Sequence, residues 1–263
     1  MIRHLPERLR PILQPLALGV LLLLILEVLS RAGAFPITIP APSEVWSKFA
    51  AAPSMLWYHL MPTLIAAGAG LGLAFVVSTG LAAIGSIHAS SRQPIYNMTV
   101  IIHAVPLIAL TPLLVLWLGA GLTTRVIIAA LACFFPILVN AMEGFRATDA
   151  TADEMLHVFA ANRWQRLRLL VLPTALPYLF AGLKIAAPAA ILGTIISEWA
   201  GADRGLGILM LHALFAFQPP QLWLGIVICI LVATSAYALV AALERLAVYW
   251  QDDSAVAELD LRN

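Results

Sequence analysis

The sequence predicts an all-α integral membrane protein of about six transmembrane helices with both termini in the cytoplasm, and three observations predict it. First, 62% of the 263 residues are hydrophobic, 11% are charged and the mean hydropathy is +0.93. Soluble domains run at roughly 45–50% apolar and 25% charged. Second, six apolar runs, at 14–30, 60–87, 95–118, 124–142, 177–200 and 221–243, approach the roughly 20 residues that a helix needs to cross hydrocarbon while satisfying its own backbone. Third, the basic residues sort between alternate loops, and cytoplasmic loops carry the excess. With the N-terminus inside, the inner set is Arg3, Arg8, Arg10, Arg92, Arg146, Arg163, Arg166, Arg168, Arg245 and Arg262, the outer set is Arg31, Lys48, Arg125 and Arg204, and Lys184 falls within a span.

The first run has a rival reading. Arg3, Arg8 and Arg10, an apolar core at 16–26 and Ala32-Gly33-Ala34 have the form of a cleavable secretory signal. Against it, Glu27 and Val28-Leu29 carry the run past a usual signal core. Residues 35–59 lie outside, where Pro36, Pro40 and Pro42 precede Ser43, a residue suited to cap a short helix with Glu44 in its first turn. Trp46, Trp57 and Tyr58 fit the interfacial level.

In the second run, Gly68 and Gly72 form a Gly-x-x-x-Gly pair of the kind that lets helix backbones meet in lipid. It is no phosphate loop, since no strand precedes it and no Lys follows. Cys133 and Cys229 stand alone in apolar runs and read as small buried hydrophobes. A net charge of +1 supplies no clustered basic surface for nucleic acid. Residues 205–217 are apolar but too short to cross, so they read as an interfacial or re-entrant helix stopped at Gln218-Pro219-Pro220.

The loop 143–176 is the one substantial polar segment. Thr151-x-x-Glu154 has the form of a capping box, so a short helix is expected from Asp149–Thr151 to about Phe159. A second helical stretch over 163–170 ends at Pro173, basic on one side and apolar on the other. By itself it also fits a segment lying on anionic lipid.

Glu154-Met155-Leu156, three residues, Ala160, nine residues, then Leu170-Val171-Leu172-Pro173 reproduce a known spacing: Glu-Ala-Ala, three, Gly, nine, Ile-x-Leu-Pro. Further matches are Ile39–Ser43, Leu107–Leu114 with Trp117-Leu118-Gly119, Phe134-Phe135-Pro136-Ile137, Asn162–Gln165, Leu176-Pro177, Gly182-Leu183-Lys184 and Arg204-Gly205-Leu206-Gly207. On these residues, which extend over nearly the whole chain, the sequence resembles the ABC-importer permeases of the sulfonate, taurine, nitrate and thiamine-precursor group.

The resemblance implies a single permease domain over 1–263 in a bacterial inner membrane, with a cytoplasmic coupling helix between spans 4 and 5. It implies that Glu154, Met155, Leu156, Phe159, Ala160, Leu170, Leu172 and Pro173 couple to the ATPase. The implied partners are two ATP-binding subunits, a second permease copy, an external substrate-binding protein and membrane lipid. ATP and Mg would be held by the partner, so this chain would be no enzyme and carry no cofactor or metal. Two departures stand out: Met155-Leu156 replaces Ala-Ala, and Ala160 replaces a Gly suited to positive φ. Ala160 must then hold a less extreme turn or accept a conformational cost.

Ionisable residues inside spans are expensive and mark functional candidates. His103, Lys184 and Glu198 are the substrate-path candidates, each with a plainer reading: an interior histidine, a lysine snorkelling to the inner surface, and a wetted carboxylate near the outer end. Glu27 reads as structural. Lys184 favours an anionic substrate such as a sulfonate, taurine or nitrate; Glu198 favours a neutral or cationic one, such as a thiamine or pyrimidine precursor. An intramembrane enzyme is the weaker class, because Glu143, His103, Lys184 and Glu198 form no catalytic pair by spacing. A secondary transporter would show inverted repeats, and none stands out.

Overall fold

A computed structural model describes residues 10–250. Arg3, Arg8, Arg262 and both chain ends, whose cytoplasmic placement the sequence predicts, lie outside the described residues. Among those described, every regular element is helical: α1 (Arg10–Arg31), α2 (Pro42–Ala51), α3 (Pro53–Ile87), α4 (Ala89–Ala104), α5 (Leu107–Leu118), α6 (Leu122–Arg146), α7 (Ala150–Val158), α8 (Arg163–Arg166), α9 (Leu172–Glu198), α10 (Leu206–Phe215) and α11 (Pro219–Ala247). A π-turn, Leu167–Val171, joins α8 to α9.

Among the described residues four helices are long and apolar enough to cross a membrane: α3, α6, the continuous Arg163–Glu198 stretch and α11. The expected span 95–118 is not one straight helix. It breaks between α4 and α5 with a bend of 91°, and counts as a fifth crossing when the two halves are taken together. Pro106 is the cause. It lacks an N–H, its ring disfavours helical backbone at Val105, and both residues are extended, with ψ of 122° and 113°. The helix restarts when Ala109 N donates to the Pro106 carbonyl.

Pro173 does not end a helix, contrary to expectation. The chain passes through it because the preceding turn widens: Leu172 N donates to Leu167 O, five residues back. A widened turn of this kind accommodates a residue that neither donates to nor tolerates the carbonyl four positions earlier. The fifth apolar run therefore belongs to a helix that begins well before Pro177.

The core is a layer of small residues where α3, α6 and α9 meet, including Ala67, Ala74, Cys133, Ala186 and Ala190. Lipid offers no hydrophobic drive for helices to associate, so close van der Waals approach must hold them. Four glycines permit it. A methyl on Gly70 would lie 2.5 Å from Ala129 Cβ of α6; one on Gly144 would meet Tyr178, on Gly182 Asn140, and on Gly193 Ala132, all at 2.8–3.0 Å. Gly68 and Gly72 face open space instead, so the expected pair forms no contact within this chain. Gly70, between them, makes the approach.

α1 packs chiefly on α2, leaving Leu18 and Val20 through Leu24 more than half exposed. It is tied by Glu27, whose carboxylate accepts from Ser43 N (2.9 Å) and Ser43 Oγ (2.7 Å) and pairs with Arg31 at 2.6 Å. Ser43 is thus not the cap of α2. Ala41 occupies that position with Pro42 starting the helix, and Ser43 sits in the first turn, where its N–H is met by the carboxylate. α10, at ten residues, is too short to cross, as expected. It ends at Phe215, Phe217 beyond it is left-handed (φ +50°), and α11 starts at Pro219. Trp46, Trp57 and Tyr58 are all exposed, with the Arg204 guanidinium 5.1 Å over the Tyr58 ring.

Candidate functional site

Two constructions at opposite ends of α8–α9 stand out. The first is an elbow made by α7 and α8. Asp149 caps α7 by accepting from Thr151 N at 2.9 Å. The expected Thr151 box is not the cap, because the carboxylate two residues earlier already takes Thr151's own N–H and places Thr151 inside the helix. The end of α7 closes in a Schellman motif: Ala160 N donates to His157 O and Ala161 N to Leu156 O, each at 2.9 Å. Ala160 has φ +53°, within the left-handed region, so it takes the full turn and bears a cost of about 1–2 kcal/mol relative to glycine. The less extreme turn offered as the alternative does not occur.

α8 opens with a reciprocal capping box. Asn162 Oδ1 accepts from Gln165 N (2.9 Å) and Gln165 Oε1 accepts from Asn162 N (2.8 Å). Asn-x-x-Gln is the sequence signature of that device, and sequence reasoning missed it. It also missed Arg166, whose Nε (2.8 Å) and Nη2 both donate to Asp153 in a forked ion pair across the elbow. Outward, the elbow exposes Glu154, Met155, Val158, Phe159 and Trp164, with Val158 84% and Phe159 75% accessible. Leu156 is half-buried. Leu170 and Pro173 are half-buried and Leu172 is exposed, on the π-turn and the start of α9 rather than on the elbow.

The second construction centres on Glu198, the last residue of α9. Sequence reasoning put this carboxylate in reach of water; it is fully buried. Its oxygens accept from Thr63 Oγ1 and from Gly207 N, both at 2.7 Å. Thr63 Oγ1 in turn accepts from Leu206 N at 2.9 Å, and His59 Nδ1 lies 3.0 Å from Gly205 O. The N-terminus of α10 thereby docks on α3 and α9 through one carboxylate, a favourable partner for helix-end N–H groups. Gly205 has φ +151°, and a Cβ there would stand 2.1 Å from Glu198 Cδ. A methyl on Gly207 would meet Ile195 O at 2.7 Å. The Gly-Leu-Gly sequence is what admits the carboxylate.

Lys184 does not stand unpaired: its Nζ is 2.6 Å from Glu244 Oε2, bridging α9 to α11. His103 is exposed at the end of α4 and stacks on Phe135 of α6 with centroids 4.5 Å apart. Lys184 and Glu198 are separated by about 21 Å along one helix at 1.5 Å per residue, so these two do not share a site. A cavity of about 380 Å³ opens between α4 and α6, lined by Arg92, Gln93, Tyr96, Val139, Met142 and Glu143. Arg92 and Arg146 share the Glu143 carboxylate there, each at 3.4 Å. Among the described residues no cluster of His, Cys, Asp and Glu could hold a metal ion.

Residues 77–248 match the family model described as the binding-protein-dependent transport system inner membrane component. The riboflavin transport system permease protein RibX of Chloroflexus aurantiacus is 33% identical over 81% of this chain and 80% of its own length. The formylaminopyrimidine transport permease protein ThiX of Halalkalibacterium halodurans is 29% identical over 91% and 96%. The taurine transport system permease protein TauC of Escherichia coli is 26% identical over 83% and 82%. The chain belongs to the family of binding-protein-dependent transport system inner membrane components: it is the multi-pass permease subunit of a bacterial ABC importer, working with a separate ATPase and a substrate-binding partner and performing no chemistry itself.

Proposed function

We propose that the elbow of α7 and α8 is the surface the ATPase grips, with Glu154, Met155, Leu156, Phe159 and Ala160 at the contact and Leu170, Leu172 and Pro173 where the motion enters α9. One observation carries this reading: a doubly capped polar elbow turns Met155, Val158, Phe159 and Trp164 outward, and its second helix, α8, is continuous with a span. Exposed apolar side chains in a polar loop mark a protein contact. The rest of the assembly follows the same reading. One domain over 1–263 makes six crossings, by α1, α3, α4 with α5, α6, α8–α9 and α11, with both termini cytoplasmic. Two copies form the path above two ATP-binding subunits, which hold the ATP and Mg, and an external protein delivers substrate. ATP then drives transport because it binds one arrangement of the spans better than the other.

Glu154→Arg tests the contact. The variant is expected to insert normally, to lose co-purification with the ATPase and to stimulate no ATP hydrolysis; unchanged stimulation removes the loop from the mechanism.

For the substrate, two classes fit. A small anion such as a sulfonate, taurine or nitrate is supported by the taurine relative. A pyrimidine or related vitamin precursor is favoured by a specific observation: Lys184, the cation that argued for an anion, is neutralised by Glu244. Calorimetric titration of the cognate binding protein with taurine and with formylaminopyrimidine separates the two classes.

A further inference from the structure

We propose that the Asp153–Arg166 ion pair is the positioning element that makes the elbow transmit motion instead of absorbing it. The inference rests on the reading of the elbow as the ATPase contact. The Schellman turn and the Asn162–Gln165 box are local, each fixing one helix end. Asp153 and Arg166 are thirteen residues apart in sequence and form the only side-chain hydrogen bonds and ion pair between α7 and α8 among the described residues. The covalent connection between the two helices is the short turn 159–162, in which Ala160 is held in a conformation it disfavours.

The geometry of α7 fits this role. At about 100° per residue, Met155 and Val158 lie roughly 200° and 140° around the helix from Asp153. The outward face and the tied face are therefore opposite sides of one short helix, so a push on the first presses the second against Arg166. Arg166 ends α8, and from Arg163 to Glu198 the chain is a single helical stretch of 36 residues. The three arginines of this segment are sorted accordingly. Arg163 and Arg168 are exposed with no hydrogen-bonded or ionic partner among the described residues, whereas Arg166 is half-buried and spends its fork on one carboxylate. A planar fork fixes direction as well as distance, which a lysine would not.

The test uses the full permease assembled with its ATPase in lipid nanodiscs, measuring co-purification of the ATPase and ATP hydrolysis by the complex. Asp153→Asn and Arg166→Gln are expected to keep a full complement of ATPase but lower hydrolysis at least about fivefold, the scale of a modest coupling energy. The exchanged pair D153R/R166D is expected to recover most of the loss, a rescue that a merely local role at either position would not give. Arg166→Lys, which keeps the charge without the fork, should fall between, and it stands in should Arg166→Gln not insert. Wild-type hydrolysis in both single variants overturns the proposal, as does an exchanged pair no better than the singles. Loss of ATPase binding in the singles also overturns it, because the pair would then be part of the docking surface. Val158→Asp distinguishes the two levels of the argument: if it leaves binding and hydrolysis intact, the elbow is not the ATPase contact; if it abolishes both while the Asp153 and Arg166 variants behave as wild type, only the present inference fails.

Discussion

Gly205→Ala is the sharpest test of the Glu198 clasp. The added methyl would stand 2.1 Å from Glu198 Cδ and 2.3 and 2.4 Å from its two oxygens. No rotation of the new side chain relieves this, since a methyl has no alternative position, so either the backbone of 205–207 shifts or the carboxylate leaves. If the carboxylate leaves, it forfeits the bonds from Thr63 and Gly207, each worth about 1.5–3 kcal/mol for a charged acceptor. Glu198 is fully buried, and a carboxylate stranded there costs about 3–5 kcal/mol in all. For a chain of this size that corresponds to a fall in Tm on the order of 10 °C. The assay is thermal unfolding of the detergent-solubilised permease followed by size-exclusion fluorescence. Gly68→Ala is the matched control: it also adds a methyl to a glycine, but into open space in mid-helix, where alanine is neutral or better by about 0.5–1 kcal/mol. Should the two variants melt within about 2 °C of each other, the clasp does not hold α10 and the reasoning fails.

Two further outcomes follow from the same structure. Ala160→Gly removes the left-handed strain and should tighten the elbow by about 1 kcal/mol, seen as roughly fivefold slower amide exchange at Ala161; equal or faster exchange would count against the Schellman turn. Lys184→Met should destabilise by about 1–3 kcal/mol, less than a fully buried pair because both side chains keep some solvent contact. The double variant K184M/E244L should return to within about 1 kcal/mol of wild type, and additive losses in thermal unfolding would show that the two residues do not depend on each other.

The crossings were legible because hydropathy is a local property, and α3, α6, α9 and α11 fall where the apolar runs do. The elbow was legible as the one polar break among the apolar runs, although Thr151 is not its cap and Pro173 does not end its second helix. What escaped depends on which of several local options the tertiary structure selects. Pro106 sits in an unbroken apolar run, and a proline there fits a mild kink as well as a 91° break. Asp149 and Thr151 both suit the cap, and only the actual start of α7 decides between them. Glu198 looked wet because it lies at a span's end. Its burial is made by α10 folding back and by Thr63, 135 residues earlier in the chain. Lys184 likewise found Glu244, 60 residues later, and no spacing rule reaches that far. The Gly205-Leu206-Gly207 triplet downstream of Glu198 was the available signal, since two glycines around one residue announce that something approaches the backbone closely.

The glycines between α6 and α9 carry an implication for how the molecule can rearrange. Gly144 receives Tyr178, Gly182 receives Asn140 and Gly193 receives Ala132, so notches on both helices are filled along nearly their whole length. Sliding one past the other by a single residue, about 1.5 Å, would drive side chains into main chain at three levels at once. Interlocked in this way, and with Gly70 of α3 closed on Ala129 of α6, these helices resist axial sliding and keep their register as the molecule rearranges.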